Sequence, residues 1–413
     1  MDNQITQQLK QAKGACRLMQ NTDRETKEKA LALIAKALVA HQDMILEENQ
    51  KDVAMAQENG ISEAMVDRLL LTKERIEAMA QDILKVIKLD DPIGTVVREI
   101  HRPNNLIIKQ IRIPIGVIGI IYESRPNVTV DIASLCIKTN NVCVLKGGKE
   151  AIHSNRILVK VMNEAIAGIL PDHCVTLLET TQRSDIDYVI KAHDYVDVVI
   201  PRGSAGLINY VVGHATVPVI ETGAGICHLY IDEYADLKMA IDIAVNAKIQ
   251  RPSVCNAVET ILVHENIAER FLPAMQEAFE NRVQFYVDEK AAQYLPGKMA
   301  TTQNYATEYD DYICNVKIVK DVDEAIEHIY QYSTKHSEAI VSEDYELADY
   351  FMDSLDSACV YHNASTRFSD GGEFGFGAEV GISTQKLHAR GPLGLQEITS
   401  TKYKIYGHGQ IRK

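Results

Sequence analysis

The chain has 413 residues, of which 46% are hydrophobic and 24% charged, as in an ordinary globular protein large enough for two domains. Its formal net charge of −14 argues against a nucleic-acid or anionic-membrane surface, because either would need a basic patch. The eight cysteines are scattered without a CxxC pair, which favours free thiols and predicts no metal site. A polar amino-terminal stretch and the absence of a long apolar run predict a cytoplasmic protein without a membrane span.

Residues 2–87 are rich in Ala, Leu, Glu, Lys and Gln and predict helices throughout. Two strand-like runs, 95–100 and 106–113, follow and predict a hairpin with a loop longer than a tight turn. The tail, 399–411, alternates like an edge strand, and an exposed edge strand needs a partner. We expect the tail to pair with the hairpin, either within the chain or across a subunit interface.

From residue 114 onwards, short apolar runs alternate with helical segments. These runs predict strands at 116–122, 141–145, 175–179, 197–200, 217–220, 229–232, 257–263, 316–319, 339–341 and 358–362. The alternation predicts an α/β fold with a mostly parallel, doubly wound sheet. Ligands of such sheets bind outside the carboxyl ends of the strands. The loops after residues 145 and 200 are therefore candidate cofactor sites.

Cys255 lies between a predicted helix, 235–249, and the predicted strand 257–263. Pro252 prevents simple continuation of the helix, so Cys255 is expected on a turn, where its thiol can face a cleft. Lys248 and Arg251 are nearby cations that would favour the reactive thiolate. Because cysteine is among the most buried residue types, inert packing is the competing interpretation.

Three further groups carry chemistry. Glu221 follows the predicted strand 217–220 and precedes glycines, which is an active-site position in a parallel sheet, although an exposed carboxylate is the alternative. Gly203 and Ser204 precede a helical run and could place backbone N–H groups beside a pyrophosphate. Gly147 and Gly148 are flanked by Lys146 and Lys149. A cation can accommodate a 2′-phosphate, so Lys149 favours NADP over NAD, and a solvated loop charge is the alternative for both lysines.

Lys146-Gly-Gly-Lys149, Arg202-Gly-Ser204, Glu221-Thr-Gly223 and Cys255 occur in the order and spacing of the aldehyde dehydrogenase superfamily, which the chain resembles from residue 113 to residue 392. The resemblance implies an aldehyde dehydrogenase-like α/β fold. It implies a doubly wound cofactor-binding domain (1–226, with a return segment 372–395) and an α/β catalytic domain (227–371). It also implies a small β oligomerisation element (95–113 and 396–413).

The resemblance also implies residue roles. Cys255 matches the nucleophile, and Glu221 matches the general base that hydrolyses the thioester in oxidising relatives, a step that a reductase does not need. Lys146 matches the lysine that holds the adenine ribose, and Gly203 and Ser204 match the pyrophosphate turn. Glu308 resembles the glutamate that holds the nicotinamide ribose.

Two arginines distinguish this sequence from the oxidising members of the superfamily, and both concern the choice of substrate. Those members have an asparagine after the first strand, whereas here Arg125 lies at or next to that position, and Arg251 precedes Cys255 by four residues. Guanidinium groups bind phosphate and carboxylate bidentately, so both arginines suit an anionic acyl phosphate, and a structural ion pair is the alternative for either one. Asn127, Ser253 and His388 are candidates for holding the remaining substrate groups.

Within the superfamily, the resemblance implies NADPH-dependent reduction of L-glutamyl 5-phosphate to the semialdehyde through a cysteine thioester, the second step of proline biosynthesis from glutamate. It further implies a homo-oligomer that is functionally coupled to the glutamate kinase of the pathway. A conventional aldehyde oxidiser is one alternative, and Arg125 argues against it. A catalytically silent binding or scaffold protein is another, and the intact Cys255, Glu221 and glycine loops argue against that.

Overall fold

The structure, a computed structural model, describes residues 2–61, 63–376 and 379–412. Met1, Ser62, Gly377, Ala378 and Lys413 fall inside the predicted domain boundaries but lie outside the described residues. The chain divides into two compact units. The first comprises Met1–Thr222, Gly375–Gly381 and Leu393–Lys413, and the second comprises Gly223–Phe374 and Ile382–Pro392. The assignment of a cofactor-binding and a catalytic domain stays a prediction.

The helices are α1 (Asp2–Met19), α2 (Arg24–Ala40), α3 (Gln42–Glu58), α4 (Glu63–Leu69), α5 (Lys73–Lys88), α6 (Pro126–Lys138), α7 (Ile152–Ile166), α8 (Ile186–Ile190), α9 (Ala205–His214), α10 (Leu237–Ile249), α11 (Glu265–Ala278), α12 (Thr302–Tyr305), α13 (Val322–Tyr332) and α14 (Tyr345–Ser354). The prediction of a helical amino-terminal region is confirmed by α1 to α5. Local caps begin several helices: the side chains of Asp23 and Thr72 accept hydrogen bonds from the backbone of the third residue after them. In the part of the chain that the structure describes, no helix combines the length and apolar character of a membrane span.

The strands are β1 (Val96–His101), β2 (Ile107–Pro114), β3 (Val117–Tyr122), β4 (Val142–Gly147), β5 (Val175–Leu177), β6 (Val198–Arg202), β7 (Cys227–Ile231), β8 (Val258–His264), β9 (Gln284–Val287), β10 (Lys298–Met299), β11 (Ile313–Val319), β12 (Ser337–Val341), β13 (Cys359–His362), β14 (Ile382–Ser383), β15 (Gly391–Pro392) and β16 (Thr399–Tyr406). The predicted strand 217–220 is reduced to a single bridge between Val219 and Val199. Lys146 and Gly147, expected in a loop, are the last residues of β4.

In the first unit, β3 to β6 form a parallel sheet in the order β5-β4-β3-β6. The chain moves outward from β3 through β4 to β5 and then returns to place β6 on the other side of β3. Strands β3 and β4 are buried along their whole length, as expected for a parallel sheet covered on both faces. The strand order therefore reverses between β3 and β6, which is where a doubly wound sheet opens a ligand crevice.

A separate antiparallel sheet in the first unit joins β1, β2 and β16 in that order. The carboxyl-terminal strand pairs with β2 from Thr399 opposite Pro114 to Tyr406 opposite Ile107. The predicted pairing of tail and hairpin is thus confirmed within the chain.

The second unit is built on a sheet of order β10-β9-β11-β8-β7-β12-β13, in which the paired strands run parallel. Helices α10 and α11 pack on one face through a core that includes Ile261, Phe271 and Phe279. Helices α13 and α14 cover the other face through Tyr230 and Phe351. Strand β8 begins three residues after Cys255, so the thiol lies beside the amino end of a central strand.

Candidate active site

Cys255 lies on the turn between α10 and β8, as the position of Pro252 predicts. It is half-buried, whereas the other cysteines of the described residues are buried. A thiol at a sheet end and partly open to solvent is available for chemistry, which the packed thiols are not.

The segment that leads into β7 contacts the backbone of Cys255. The Cys227 thiol donates a hydrogen bond to the carbonyl oxygen of Cys255, with 3.2 Å between Sγ and O. A Cβ atom added at Gly225 would lie 1.4 Å from the same oxygen, so only glycine fits there. The backbone N–H of Gly225 in turn donates to Oε1 of Glu308 at 2.7 Å. Glu308, predicted to hold a ribose, therefore supports the segment that abuts Cys255.

Asn256, the next residue, is fixed by the segment 366–369. Its carbonyl oxygen accepts from Thr366 Oγ1 at 2.7 Å, and its Nδ2 donates to the carbonyl oxygen of Ser369 at 2.8 Å. The Arg367 guanidinium donates through Nη1 to Asn256 Oδ1 and through Nε to Gln250 Oε1. Hydrogen bonds at Cys255 and at Asn256 thus fix the turn that carries the thiol.

Arg367 is the functional candidate that the sequence did not reveal. Burial lowers the pKa of Arg367 and nearby Arg251 reinforces this, whereas Asp370 and the Cys255 thiolate act in the opposite direction. Arg367 is therefore a half-buried cation whose charge interacts with that of the Cys255 thiolate. Its only sequence signal is its place in the stretch 363–392 that resembles the superfamily.

The structure corrects the expectation that Lys248 favours the Cys255 thiolate. Its side chain is fully buried, and Nζ lies 2.8 Å from Oε2 of Glu259. Burial raises the pKa of Glu259, and the adjacent Lys248 ammonium lowers it, which favours the charged pair. Because Lys248 is committed to this buried ion pair, its charge is not available to stabilise the Cys255 thiolate.

A chain of buried polar groups extends from Cys227. Its Sγ lies 3.7 Å from Nδ1 of His336, which lies 2.8 Å from the hydroxyl oxygen of Ser337. Ser337 and Tyr361 both share hydrogen bonds of 2.6 Å with the hydroxyl of Ser369. Burial raises the pKa of Cys227 well above its ordinary value and lowers the pKa of His336 to about 4. At neutral pH Cys227 therefore stays a thiol donor and His336 stays neutral.

In the first unit, Lys146 lies at the carboxyl end of β4. Its side chain is 4% exposed, and among the described residues its Nζ donates to the carbonyl oxygen of Gly147 at 3.1 Å. Burial lowers the pKa of Lys146, while Asp185 and Glu150 oppose that shift. An ammonium group with three donors and this single partner fits a ligand hydroxyl. Gly148 follows, and Lys149 begins a 3₁₀ turn with its side chain exposed.

Gly203 and Ser204 lead into α9, where the Ser204 hydroxyl accepts from the backbone N–H of Leu207. The backbone N–H of Ser204 donates to Oε2 of Glu123 at 2.9 Å. A Cβ at Gly203 would lie 2.5 Å from that oxygen. The predicted pyrophosphate turn thus holds a carboxylate from the loop after β3.

The other predicted residues of the first unit are Arg125, Asn127 and Glu221. Arg125 is the residue before α6 and is half-buried. Asn127 donates to Oδ2 of Asp131 at 2.9 Å within α6, and burial raises the pKa of Asp131 to about 7. Glu221 is half-buried and precedes Thr222, whose hydroxyl donates to the carbonyl oxygen of Pro201 at 2.6 Å.

The predicted residues of the second unit are on the turn itself or support it. Arg251 is exposed and Ser253 is half-buried beside Cys255 in the chain. The structure therefore brings Arg251, Ser253, Cys255 and Glu308 into one unit, and the glycine loops with Lys146, Lys149, Arg125, Asn127 and Glu221 into the other. In the described ranges, no group of three or more His, Cys, Asp or Glu side chains is arranged to hold a metal ion.

Fold and site together define a class. The chain matches the model of the "Aldehyde dehydrogenase family" over residues 1–297. An acetylating aldehyde dehydrogenase from Geobacillus thermoglucosidasius has the same fold, with a TM-score of 0.74 at 16% identity over 100% of this chain and 98% of that one.

The more similar proteins carry one name. "Gamma-glutamyl phosphate reductase" from Halothermothrix orenii is 52% identical over 99% of this chain and 99% of that protein. The crystal structure of gamma-glutamyl phosphate reductase from Thermotoga maritima matches with a TM-score of 0.96 and 46% identity over 99% of this chain and 100% of that one. The chain therefore belongs to the aldehyde dehydrogenase family and, within it, to the family of the gamma-glutamyl phosphate reductases.

Proposed function

We propose that this chain reduces L-glutamyl 5-phosphate to L-glutamate 5-semialdehyde and releases phosphate, as a step of proline biosynthesis. The observation that carries the proposal is the half-buried Cys255 thiol, fixed on its turn in a chain that matches reductases of this name over almost its whole length. Family membership supports an oxidoreductase with a nicotinamide cofactor.

Cys255 acts as the nucleophile. Its thiolate attacks the acyl carbonyl carbon, the C–O bond to phosphate breaks, and a thioester forms, which divides one difficult step into two easier ones. When bound, reduced nicotinamide supplies the hydride that converts the thioester to the aldehyde and frees the thiolate again. The backbone N–H of Cys255 stabilises the oxyanion that forms in each half.

Cations around the turn favour the thiolate and the departing phosphate. Arg367 is hydrogen-bonded to Gln250 and to Asn256, the residue after Cys255, and Arg251 lies four residues before the thiol. Guanidinium groups match phosphate oxygens in pairs. We assign Arg251 and Arg125 to the substrate, together with Asn127 and Ser253. Glu221 handles protons only, since the reductive direction has no thioester hydrolysis to catalyse.

The cofactor is NADP(H). The buried Lys146 ammonium, which has one backbone partner among the described residues, fits a ribose hydroxyl, and the exposed Lys149 suits a 2′-phosphate. Gly147 and Gly148 let the backbone approach the nucleotide, and Gly203 and Ser204 offer backbone N–H groups to its diphosphate. Glu308 is assigned to the second ribose. The carboxylate of Glu123 at Ser204 has to move for a diphosphate to bind there.

The remaining assignments concern the cellular location, the oligomeric state and a partner enzyme. We assign the protein to the cytoplasm, to a homo-oligomer formed through the sheet β1-β2-β16, and to functional coupling with the glutamate kinase that makes its substrate. The exposed apolar side chains of that sheet support the oligomer: they are Val96, Val97, Tyr403, Ile405 and Tyr406.

The test is the reverse reaction, the phosphate-dependent reduction of NADP by glutamate 5-semialdehyde. The wild-type protein is expected to turn over only with phosphate, and Cys255→Ala is expected to lose turnover completely. Cys16→Ala, the same change on α1, should leave it intact. Turnover without phosphate would instead indicate an aldehyde oxidiser with Glu221 as its base, and NADP binding without turnover would indicate a different substrate or a silent scaffold.

A further inference from the structure

Strands β3 and β6 end side by side at the point where the strand order reverses. Tyr122 and Arg202 are paired as the last residues of the two strands, and the backbone N–H of Glu123 donates to the carbonyl oxygen of Arg202 at 3.1 Å. Glu123 and Gly203 therefore enter the crevice together. An anionic ligand at this edge meets both.

The Glu123 carboxylate is positioned as an anion at the amino end of α9. Oε2 accepts from the backbone N–H of Ser204 at 2.9 Å, and Gly203 supplies the space because a Cβ there would lie 2.5 Å from that oxygen. Among the described residues, the next two N–H groups, of Ala205 and Gly206, donate to no acceptor. These are donors that the helix itself cannot satisfy, and its dipole favours negative charge beside them.

The backbone around Glu123 is fixed. The N–H and the hydroxyl of Ser124 both donate to Oε1 of Glu150 at 2.9 Å. Ser124 has a positive φ of 47°, a conformation that this double hydrogen bond stabilises. The loop after β3 is therefore anchored by Glu150, and the Glu123 side chain is the part that can turn away.

One N–H group cannot donate fully to two anions. A nucleotide diphosphate placed on the turn that the family resemblance assigns to it would meet the Glu123 carboxylate on the same donor, with like charges in contact. The residues of the turn fit the diphosphate only after Glu123 has left. Displacement costs part of the binding energy, and the return of the carboxylate satisfies the Ser204 N–H again when the nucleotide leaves.

We propose that the Glu123 carboxylate competes with the diphosphate of the nucleotide for the amino end of α9 and thereby lowers cofactor affinity. The inference rests on the proposed function only in taking a nucleotide as the ligand of this edge. Glu123 thus acts as an internal substitute for the diphosphate, which keeps the Ser204 N–H group hydrogen-bonded between turnovers and favours cofactor release.

The test is equilibrium binding by calorimetry without substrate, using NADPH, ADP and adenosine as probes. Glu123→Gln keeps the size of the side chain but removes the charge. We expect it to bind NADPH and ADP about threefold to tenfold more tightly than the wild-type protein. Adenosine, which has no phosphate, should bind equally to both proteins.

Glu179→Gln is the matched control, because it removes one negative charge two residues beyond the end of β5 from a side chain paired with Arg156 at 2.9 Å. It should change none of the three affinities. Glu123→Asp gives a second reading: its shorter side chain reaches Ser204 less well, so diphosphate binding should tighten, to a smaller extent.

Three results would overturn the inference: unchanged or weaker ADP binding by Glu123→Gln, an equal gain for adenosine, or the same gain in Glu179→Gln. If Glu123→Gln does not fold, unchanged or weaker ADP binding by Glu123→Asp counts against the inference in the same way. Because these measurements need no turnover, tighter nucleotide binding together with a failed reverse reaction would reject the proposed function and leave the role of Glu123 standing.

Discussion

The backbone at Gly225 lies so close to the peptide of Cys255 that no side chain fits between them. A Cβ there would be 1.4 Å from the Cys255 carbonyl oxygen and 2.8 Å from its Cα. Both neighbours are backbone atoms, which cannot rotate away. The position of the proposed nucleophile therefore depends on a residue thirty positions earlier in the chain.

We expect Gly225→Ala to lower kcat of the phosphate-dependent reaction by about a hundredfold or more, because displacing a reacting group by about 1 Å costs about that much. Steady-state kinetics measures the loss, and circular dichroism checks that the fold is retained. Gly14→Ala is the control: a Cβ there meets nothing within 4 Å, and alanine is the better helix former. Full activity in Gly225→Ala would show that the turn does not need this contact.

Single residues also mark the limit of what the sequence predicts. Pro252 was sufficient to predict a turn for Cys255, because proline acts on its immediate neighbours. The pairing of Lys248 with Glu259 and the approach of Arg367 to Cys255 were not predictable, since each depends on side chains that only the folded chain brings together. Glu123 had a signal, an acid directly after a buried strand, which is the same signal that drew attention to Glu221.

The sheet β1-β2-β16 exposes apolar side chains, whereas the strands of the parallel sheets are mostly buried. Ile405 and Tyr403 are 62% and 58% exposed, and Val96 and Val97 on β1 are about half exposed. Exposed apolar strands at sheet edges are sites of association. In the proposed oligomer, this sheet is the element that a second copy of the chain would cover.

Ile405→Glu is expected to shift the protein from the proposed oligomer towards the monomer, because a charge would be buried without a partner. Light scattering coupled to size-exclusion chromatography measures the mass. Leu18→Glu, at a residue of similar exposure (64%) on α1, should leave the mass unchanged. A mass unaffected by Ile405→Glu, or a wild-type monomer, would contradict the assignment of this sheet to an interface.

Elements were predictable where the pattern was local. The amino-terminal helices and most strands of the two parallel sheets followed from periodicity and apolar runs. Strand β9 was missed because it has four residues with alternating exposure, too short for a clear pattern. The apolar run 217–220 predicts a full strand, but in the structure it forms one bridge at the sheet edge.

For the molecule as a whole, buried histidines tie stability to pH. Burial lowers the pKa of His336 to about 4, below its ordinary value of 6.5. The unfolded chain therefore takes up a proton at a pH where the folded chain does not. The contribution of the neutral His336 ring to the free energy of unfolding is fully present above pH 6.5 and is lost as the pH falls towards 4.

We expect the free energy of unfolding to fall between pH 6.5 and 5, and His336→Asn to flatten this slope by up to about 1.4 kcal/mol per pH unit, the value for one proton. Urea unfolding at pH 7, 6 and 5 measures the slope. His193→Asn, at a histidine whose side chain is 70% exposed, should leave it unchanged. Equal slopes in the wild-type protein and His336→Asn would mean that the ring is not kept neutral.

The same sheet that exposes Ile405 also governs the order in which the chain can fold. Gln110 of β2 donates to the Thr401 hydroxyl of β16 at 2.9 Å across 291 residues of sequence. During synthesis β2 therefore emerges long before its partner, and the whole second unit is made in between. Contacts between residues so far apart in sequence form slowly, and they leave an unpaired strand edge exposed until the partner strand has been made. In a nascent chain, the β1-β2 hairpin should accordingly need protection from association until β16 has been synthesised.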